Sequence, residues 1–233
     1  MTGTLYGVGL GPGDPELITR KAARLIGSAR VIAYPALAGS DSLARAIAAD
    51  LIPADAREIV MEVPMTPARE PAQAAYDKGA ARIAAELDAG HDVVCLCEGD
   101  PFFYGSFMYL HARLAPRYAV EVVPGVSSLT ACAAVSGRPL VARNEVMTVL
   151  PGPLPEAELR RRLHAADTLA ILKVGRHLPR LRAVLEAEGL AERAVYVERA
   201  TLAEEVRLPL RDAPETAPYF SMILVTKGAD PWL

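Results

Sequence analysis

Gly7-Val8-Gly9-Leu10-Gly11-Pro12-Gly13-Asp14-Pro15 is the stretch on which the reading of this chain turns. It closes a strand-like run, Thr4 to Gly9, and opens a segment with helix-start signals. Asp14 is a natural N-cap, Pro15 fits the first helical position and Glu16 favours the positive helix end. Leu17, Ile18, Ala22, Leu25 and Ile26 then share one helical face, which predicts a helix from about Pro15. A strand that turns through glycines into a helix opens an α/β fold. The turn is not a dinucleotide fingerprint, because Pro12 stands where G-x-G-x-x-G needs its third glycine. Nor is it a phosphate loop, since no Gly-Lys-Ser/Thr follows. A tight connection and a backbone that approaches a ligand are equally good readings of it.

Outward from this turn the alternation continues. Strands are predicted at Val31–Tyr34, Glu58–Val63, Val93–Cys97 and Val120–Val123. Helices are predicted near Ser42–Leu51, over Glu70–Ala89, from Glu98-Gly99-Asp100-Pro101 to before Pro116, and from Ser128 to Val135. Val93 to Cys97 is apolar throughout, as a central parallel strand buried on both faces requires. Pro139 to Asn144 reads as a boundary, giving two α/β domains, 1–140 and 145–233. Beyond it, strands are predicted near Val146–Leu150, Thr168–Val174, Ala194–Glu198 and Phe220–Thr226, with helices near Pro155–Ala165 and Leu178–Glu188.

Composition narrows the function classes. The 233 residues carry 25 Lys+Arg and 28 Asp+Glu, a net charge of −3, without the basic footprint of a nucleic-acid binder. Chains of this size bury about 70% of their unfolded surface and need no disulfide or metal to hold a core. The odd count of cysteines, Cys95, Cys97 and Cys132, speaks against a disulfide scaffold, and Cys95-x-Cys97 lies inside the apolar run as core packing. His91, His111, His164 and His177 show no ligand spacing with them, so no protein-held metal is expected. The N-terminus lacks a signal-peptide pattern, and the longest uncharged stretch, Val122–Gly137, is too short and broken to span a bilayer. The expected location is the cytoplasm.

Ligands in α/β sheets bind beyond the carboxyl ends of the strands. That rule selects three loops: Gly9–Asp14, Glu98–Pro101 and Pro124–Ser128. Asp100 before Pro101 and the serines of the third loop could equally be helix caps. The aromatics Phe102, Phe103 and Tyr104 divide between core packing and a ring for a flat ligand. Three such loops in order favour a ligand site.

The Gly-x-Gly-Pro-Gly-Asp-Pro, Gly-Asp-Pro-x-x-Tyr-Gly and Pro-Gly-Val-Ser-Ser loops together resemble those of the tetrapyrrole (corrin/porphyrin) methyltransferases over essentially the whole chain. Leu5–Gly9, Glu98–Leu110 and Tyr196–Thr201 are most similar to the branch that methylates C20 of precorrin-2 in cobalamin synthesis. Tyr34-Pro35 stands where the uroporphyrinogen branch has Tyr-Asp. The resemblance implies two α/β domains with S-adenosylmethionine in the cleft between them. It implies cofactor contacts at Pro12, Glu98, Gly99, Asp100, Ser127 and Ser128, and at Val174, Ala200 and Ser221 in the second domain. It also implies a homodimer.

The chemistry such an enzyme performs is in-line methyl transfer to a meso carbon, which demands alignment above all. The leaving thioether is neutral and needs no acid. Tyr104 or Glu98 could take the meso proton. The many carboxylates of a tetrapyrrole call for arginines, with Arg143 and Arg176 as candidates, whereas Arg160-Arg161-Arg162 reads as a solvated helix face. No histidine or cysteine lies in the three loops to meet a cobalt ion, and only His177 is placed near enough to be an exception. Metal-free precorrin-2 is therefore expected in preference to cobalt-factor II. An RNA or protein methyltransferase of the same fold is the alternative that the charge disfavours.

Overall fold

Val93–Cys97, strand β4, is buried along its whole length and has apolar layers on both faces. The computed structural model describes residues 1–37, 39–64 and 69–228. In the first unit, Met1–Ser127, β4 lies in a five-stranded sheet with β1 (Leu5–Gly9), β2 (Val31–Ala36), β3 (Arg57–Glu62) and β5 (Val120–Val123). The order is β3-β2-β4-β1-β5 and every pairing is parallel. The two-residue period of a strand divides β4 between two cores. Val93, Cys95 and Cys97 pack with α3 (Arg69–Asp88) and α4 (Phe107–Leu114) through Ile83, Leu87, Phe107 and Leu110. Val94 and Leu96 pack with α1 (Arg20–Gly27) and α2 (Leu43–Ile47) through Ala22, Ile26, Ala44 and Ile47. Each fully buried large aliphatic of this kind contributes about 1.5–3 kcal/mol. The expected central strand and its core cysteines are found.

The first helix differs from expectation. Asp14 caps only a short 3₁₀ turn, Pro15–Leu17, with its carboxylate accepting from the Glu16 N–H at 2.9 Å. Ile18 and Thr19 are extended, and the Thr19 hydroxyl accepts from the Ala22 N–H at 3.2 Å, so α1 starts at Arg20. The acidic loop likewise does not run straight into a helix: residues 101–106 are turns and α4 begins at Phe107.

The second unit, Ser128–Leu233, holds a mixed sheet of order β6-β7-β10-β8-β9. Its strands are β6 (Met147–Pro151), β7 (Thr168–Leu172), β8 (Ala194–Glu198), β9 (Val206–Pro209) and β10 (Ser221–Thr226). β6 and β7 are parallel, while β10 runs antiparallel between β7 and β8. One face carries α6 (Glu156–Leu163) and α7 (Leu178–Ala187), which bury Leu159, Leu163, Leu181 and Leu185 against Leu169, Ile171, Tyr196 and Ile223. The other face carries α5 (Ser128–Ser136), through Ala131 and Cys132 against Ala170, Val197, Met222 and Leu224. This packing moves the division of the chain. It falls between Ser127 and Ser128, not near residue 140, because α5 belongs to the second sheet. β9 was not anticipated: it is four residues long, and Arg207 and Pro209 are exposed, so no apolar run marks it.

Candidate active site

The three loops singled out in the sequence meet within the first unit. Beyond β1, the Leu10 N–H donates to the Cys97 carbonyl at 2.9 Å. Gly11 and Gly99 then exchange N–H···O bonds of 3.2 and 2.7 Å, forming a one-residue antiparallel bridge between the first two loops. Asp100 joins the second loop to the third. Its Oδ2 accepts from the Gly125 N–H at 3.0 Å, and its Oδ1 accepts from Phe102 and Phe103 at 2.9 and 3.2 Å. Asp100 is thus a tie between loops, not a helix cap. Glycine is required where the loops touch. A Cβ on Gly9 would stand 2.6 Å from the Gly125 nitrogen, and one on Gly125 would overlap the Gly99 carbonyl oxygen. Gly99 itself has φ +64°, with open space where a side chain would point.

Around this knot lie the other first-unit candidates. Pro12 is half-buried directly after Gly11, and Ser127 is half-buried directly before α5. Glu98 closes β4 as a half-buried carboxyl. Burial pushes its pKa up, against the pull of its own N–H and that of Ala44 in the first turn of α2. Tyr104 is exposed, with φ +56° and its ring edge-on to Phe103 at 5.3 Å. Phe102 is exposed and edge-on to His111 at 5.1 Å, so none of the three consecutive aromatics is buried in the core.

In the second unit, the strand directions bring three of the expected residues to one end of the sheet. Register pairs Leu172 with Met222 and Ser221 with Glu198. Val174 just after β7, Ala200 just after β8, and Ser221 at the start of β10 are therefore neighbours by topology, and all three are buried. Ser128, the first residue of α5, is half-buried. The backbone at this end is unusual. Lys173, Arg199 and Thr201 have φ of +55°, +48° and +69°, a conformation that side chains other than glycine seldom adopt. The left-handed Lys173 also ends β7 two residues before the predicted Val174.

Arg176 is exposed in the 3₁₀ turn Gly175–His177 that follows Val174, at this same end. Arg143 is not brought there. It is exposed in the turn before β6, which runs parallel to β7, so it lies at the opposite end of the sheet. Arg160, Arg161 and Arg162 are occupied on the surface of α6 by Glu156, Glu158 and Glu188. Two charged residues at this end of the sheet were given no role in the sequence reading: Glu198, a buried carboxylate bonded by the Tyr196 hydroxyl at 2.5 Å, and its neighbour Arg199. The available signal was a charge closing the otherwise apolar strand Ala194-Val195-Tyr196-Val197.

Glycine, acidic and serine loops locked together at the carboxyl ends of parallel strands are the arrangement at which α/β folds take their ligands. The chain belongs to the tetrapyrrole (corrin/porphyrin) methylases, whose family pattern matches residues 4–214. It is 45% identical over 237 residues to the precorrin-2 C(20)-methyltransferase of Sinorhizobium sp, covering 98% of this chain and 97% of that one. It is 35% identical over 231 residues to the cobalt-precorrin-2 C(20)-methyltransferase of Salmonella typhimurium, covering 97% and 98%. Among solved structures, the uroporphyrin-III C-methyl transferase of Thermus thermophilus complexed with S-adenyl homocysteine aligns with a TM-score of 0.68 at 29% identity, over 97% of this chain and 92% of that one.

The raised Glu98 carboxyl makes a pH prediction. A carboxyl whose folded pKa exceeds its unfolded value binds its proton more tightly in the folded state. Ionising Glu98 therefore opposes folding. The opposition is absent below the ordinary value of 4.5 and complete above the raised one, so stability falls as pH rises through that window. Glu98→Gln lacks this slope. Its melting temperature relative to wild type is expected to rise between pH 4 and pH 8, and thermal melts across that range would refute the assignment by giving a constant difference.

The tie made by Asp100 gives a second expectation. Asp100→Ala releases three backbone N–H groups and should lower affinity for S-adenosylhomocysteine at least tenfold, about 1.4 kcal/mol. Equal affinities of the variant and wild type by calorimetry would remove the loop knot from cofactor binding.

Proposed function

We propose that this protein methylates C20 of metal-free precorrin-2, with S-adenosylmethionine as donor and precorrin-3A and S-adenosylhomocysteine as products, in cobalamin biosynthesis. The observation that carries this reading is the near full-length 45% identity to a precorrin-2 C(20)-methyltransferase, in a chain whose three loops are intact and interlocked. The lower identity, 35%, to the enzyme that takes the cobalt-containing substrate favours the metal-free macrocycle. Cys95 and Cys97 are in the core, His91 pairs with Glu86 and His111 sits against Phe102, which leaves His177, in the turn Gly175–His177, as the one imidazole of the sequence reading near the proposed site.

The residues suit an adenosylated amino acid. Gly99 offers backbone beside open space, Pro12 offers half-buried apolar surface, Ser127 and Ser128 carry hydroxyls, and Val174, Ala200 and Ser221 are buried at the strand ends, with the Ser221 hydroxyl donating to the Pro218 carbonyl at 2.7 Å. These, with Glu98 and the loop held by Asp100, are the proposed cofactor contacts. When bound, S-adenosylmethionine supplies an electrophilic methyl on a sulfonium. The protein's share of the chemistry is orientation, for which an interlocked rigid loop set is the right instrument. Glu98 and Tyr104 are the proposed acceptors of the meso proton. Glu98 is the better suited, because burial raises its basicity. Arg176 is proposed to meet a substrate carboxylate.

The protein is further proposed to act in the cytoplasm as a homodimer, without nucleic acid or membrane. Its three cysteines are free and buried, in keeping with a reducing compartment, and among the described residues no helix is long and apolar enough to cross a membrane. Sedimentation at micromolar concentration should give twice the chain mass, and a monomer would refute the dimer.

The activity is tested by offering both macrocycles anaerobically with methyl-labelled S-adenosylmethionine and locating the label by carbon NMR. Label at C20, with a higher kcat/KM for the metal-free macrocycle, is expected. A preference for the cobalt form would overturn the substrate, and label at another carbon would overturn the reaction.

A further inference from the structure

Glu198 is the one buried residue with a charged side chain among the described residues, and the reaction as proposed above gives it no task. Burying a carboxylate is costly unless both of its oxygens are answered. Here Oε2 accepts from the fully buried Tyr196 hydroxyl at 2.5 Å, and Oε1 lies 3.4 Å from Nη1 of Arg199. Burial, reinforced by Glu198, holds the Tyr196 phenol well above its ordinary pKa, so the hydroxyl stays a donor.

The backbone of Arg199 is held more firmly than its head group. Its N–H donates to the Phe220 carbonyl at 2.8 Å, and its carbonyl accepts from the Leu202 N–H at 2.9 Å. Two residues on, the Thr201 N–H donates to the Glu205 carboxylate at 2.7 Å. The result is a left-handed arginine, φ +48°, at the end of the sheet where Val174, Ala200 and Ser221 lie. Strained backbone of this kind persists where the surroundings over-determine it, and it concentrates at ligand sites.

Glu198 takes only one N–H of the guanidinium, through a long single contact. The side chain is 42% exposed, so further donors remain for a planar anion. The arginines of α6 are spent elsewhere: Arg160, Arg161 and Arg162 face glutamates.

We propose that Arg199 binds a ligand carboxylate and that Glu198 is its positioning residue. Two ligands of the proposed reaction carry that group, the macrocycle on its acetate and propionate arms and the cofactor on its amino-acid end. The choice between them rests on the methyltransferase reading, but the carboxylate site does not.

The test uses Arg199→Asn, which removes the guanidinium but tolerates a left-handed backbone, together with Arg199→Lys and Glu198→Gln. S-adenosylhomocysteine is titrated by calorimetry, and an octacarboxylate porphyrin is titrated by quenching of its fluorescence. Arg199→Asn is expected to weaken one of the two at least tenfold and leave the other within about twofold. The ligand weakened names the source of the carboxylate. Arg199→Lys should recover part of the loss, because charge without the fork still attracts the anion. Glu198→Gln should weaken the same ligand, less severely, with KM moving and kcat steady.

A folded Arg199→Asn variant that binds both ligands as wild type does would overturn the carboxylate site. Equal weakening of both ligands by Glu198→Gln would overturn its positioning role in favour of a structural one. Should Glu198→Gln fail to fold, the two Arg199 variants carry the test. Failure of the methyltransferase reading shows separately, as wild-type protein that leaves precorrin-2 unmethylated.

Discussion

The carboxylate of Asp100 holds three backbone N–H groups from two loops, and through Gly125 it fixes where the third loop may stand. Hydrogen bonds to a charged acceptor are about twice as strong as neutral ones. Much of the first unit can be understood as making that arrangement possible. Parallel β1, β4 and β5 deliver Gly9, Glu98 and Pro124 to one edge of the sheet. Two apolar layers hold those strands from either side. The glycines then bring the chain segments nearer to one another than any side chain would allow.

The second unit solves the corresponding problem differently. Its first unit counterpart relies on glycine and an acidic tie, whereas here side chains occupy backbone conformations that glycine would adopt more cheaply. Lys173, Arg199 and Thr201 are all left-handed at one end of the sheet. Retaining side chains there keeps cationic and hydroxyl groups at the strand ends, at a cost of roughly 1–2 kcal/mol for each residue.

Much of this was legible in the residues. A buried parallel strand announces itself by an unbroken apolar run, and Val93–Cys97 is one. Glycine and proline mark the turns, so the three loops could be located before their contacts were known. Other features depend on partners distant in sequence. Asp100 carries the same Asp-Pro signature as Asp14, yet one caps a short turn and the other ties loops together, because Gly125 lies 25 residues away. The division of the chain was misplaced for a similar reason. Residues 139–144, which open on Pro139, look like a linker, but the allegiance of α5 is decided by Ala131 and Cys132 against the second sheet. Arg143 could not be excluded from sequence, since only the direction of β6 shows which end of the sheet it occupies. Glu198 was overlooked because a terminal charge on a strand usually points to solvent.

The place of β10 has a consequence for how the protein is made. It is the last strand of the described chain, yet it sits in the interior of its sheet, between β7 and β8. Until Ser221–Thr226 has left the ribosome, the strands on either side have no common neighbour and remain as two open-edged pairs. Open edges invite pairing with other chains. Nascent chains therefore pass through a vulnerable interval that closes only once β10 has emerged, and a chain cut short before Ser221 would be a product suited to proteolysis, not to catalysis.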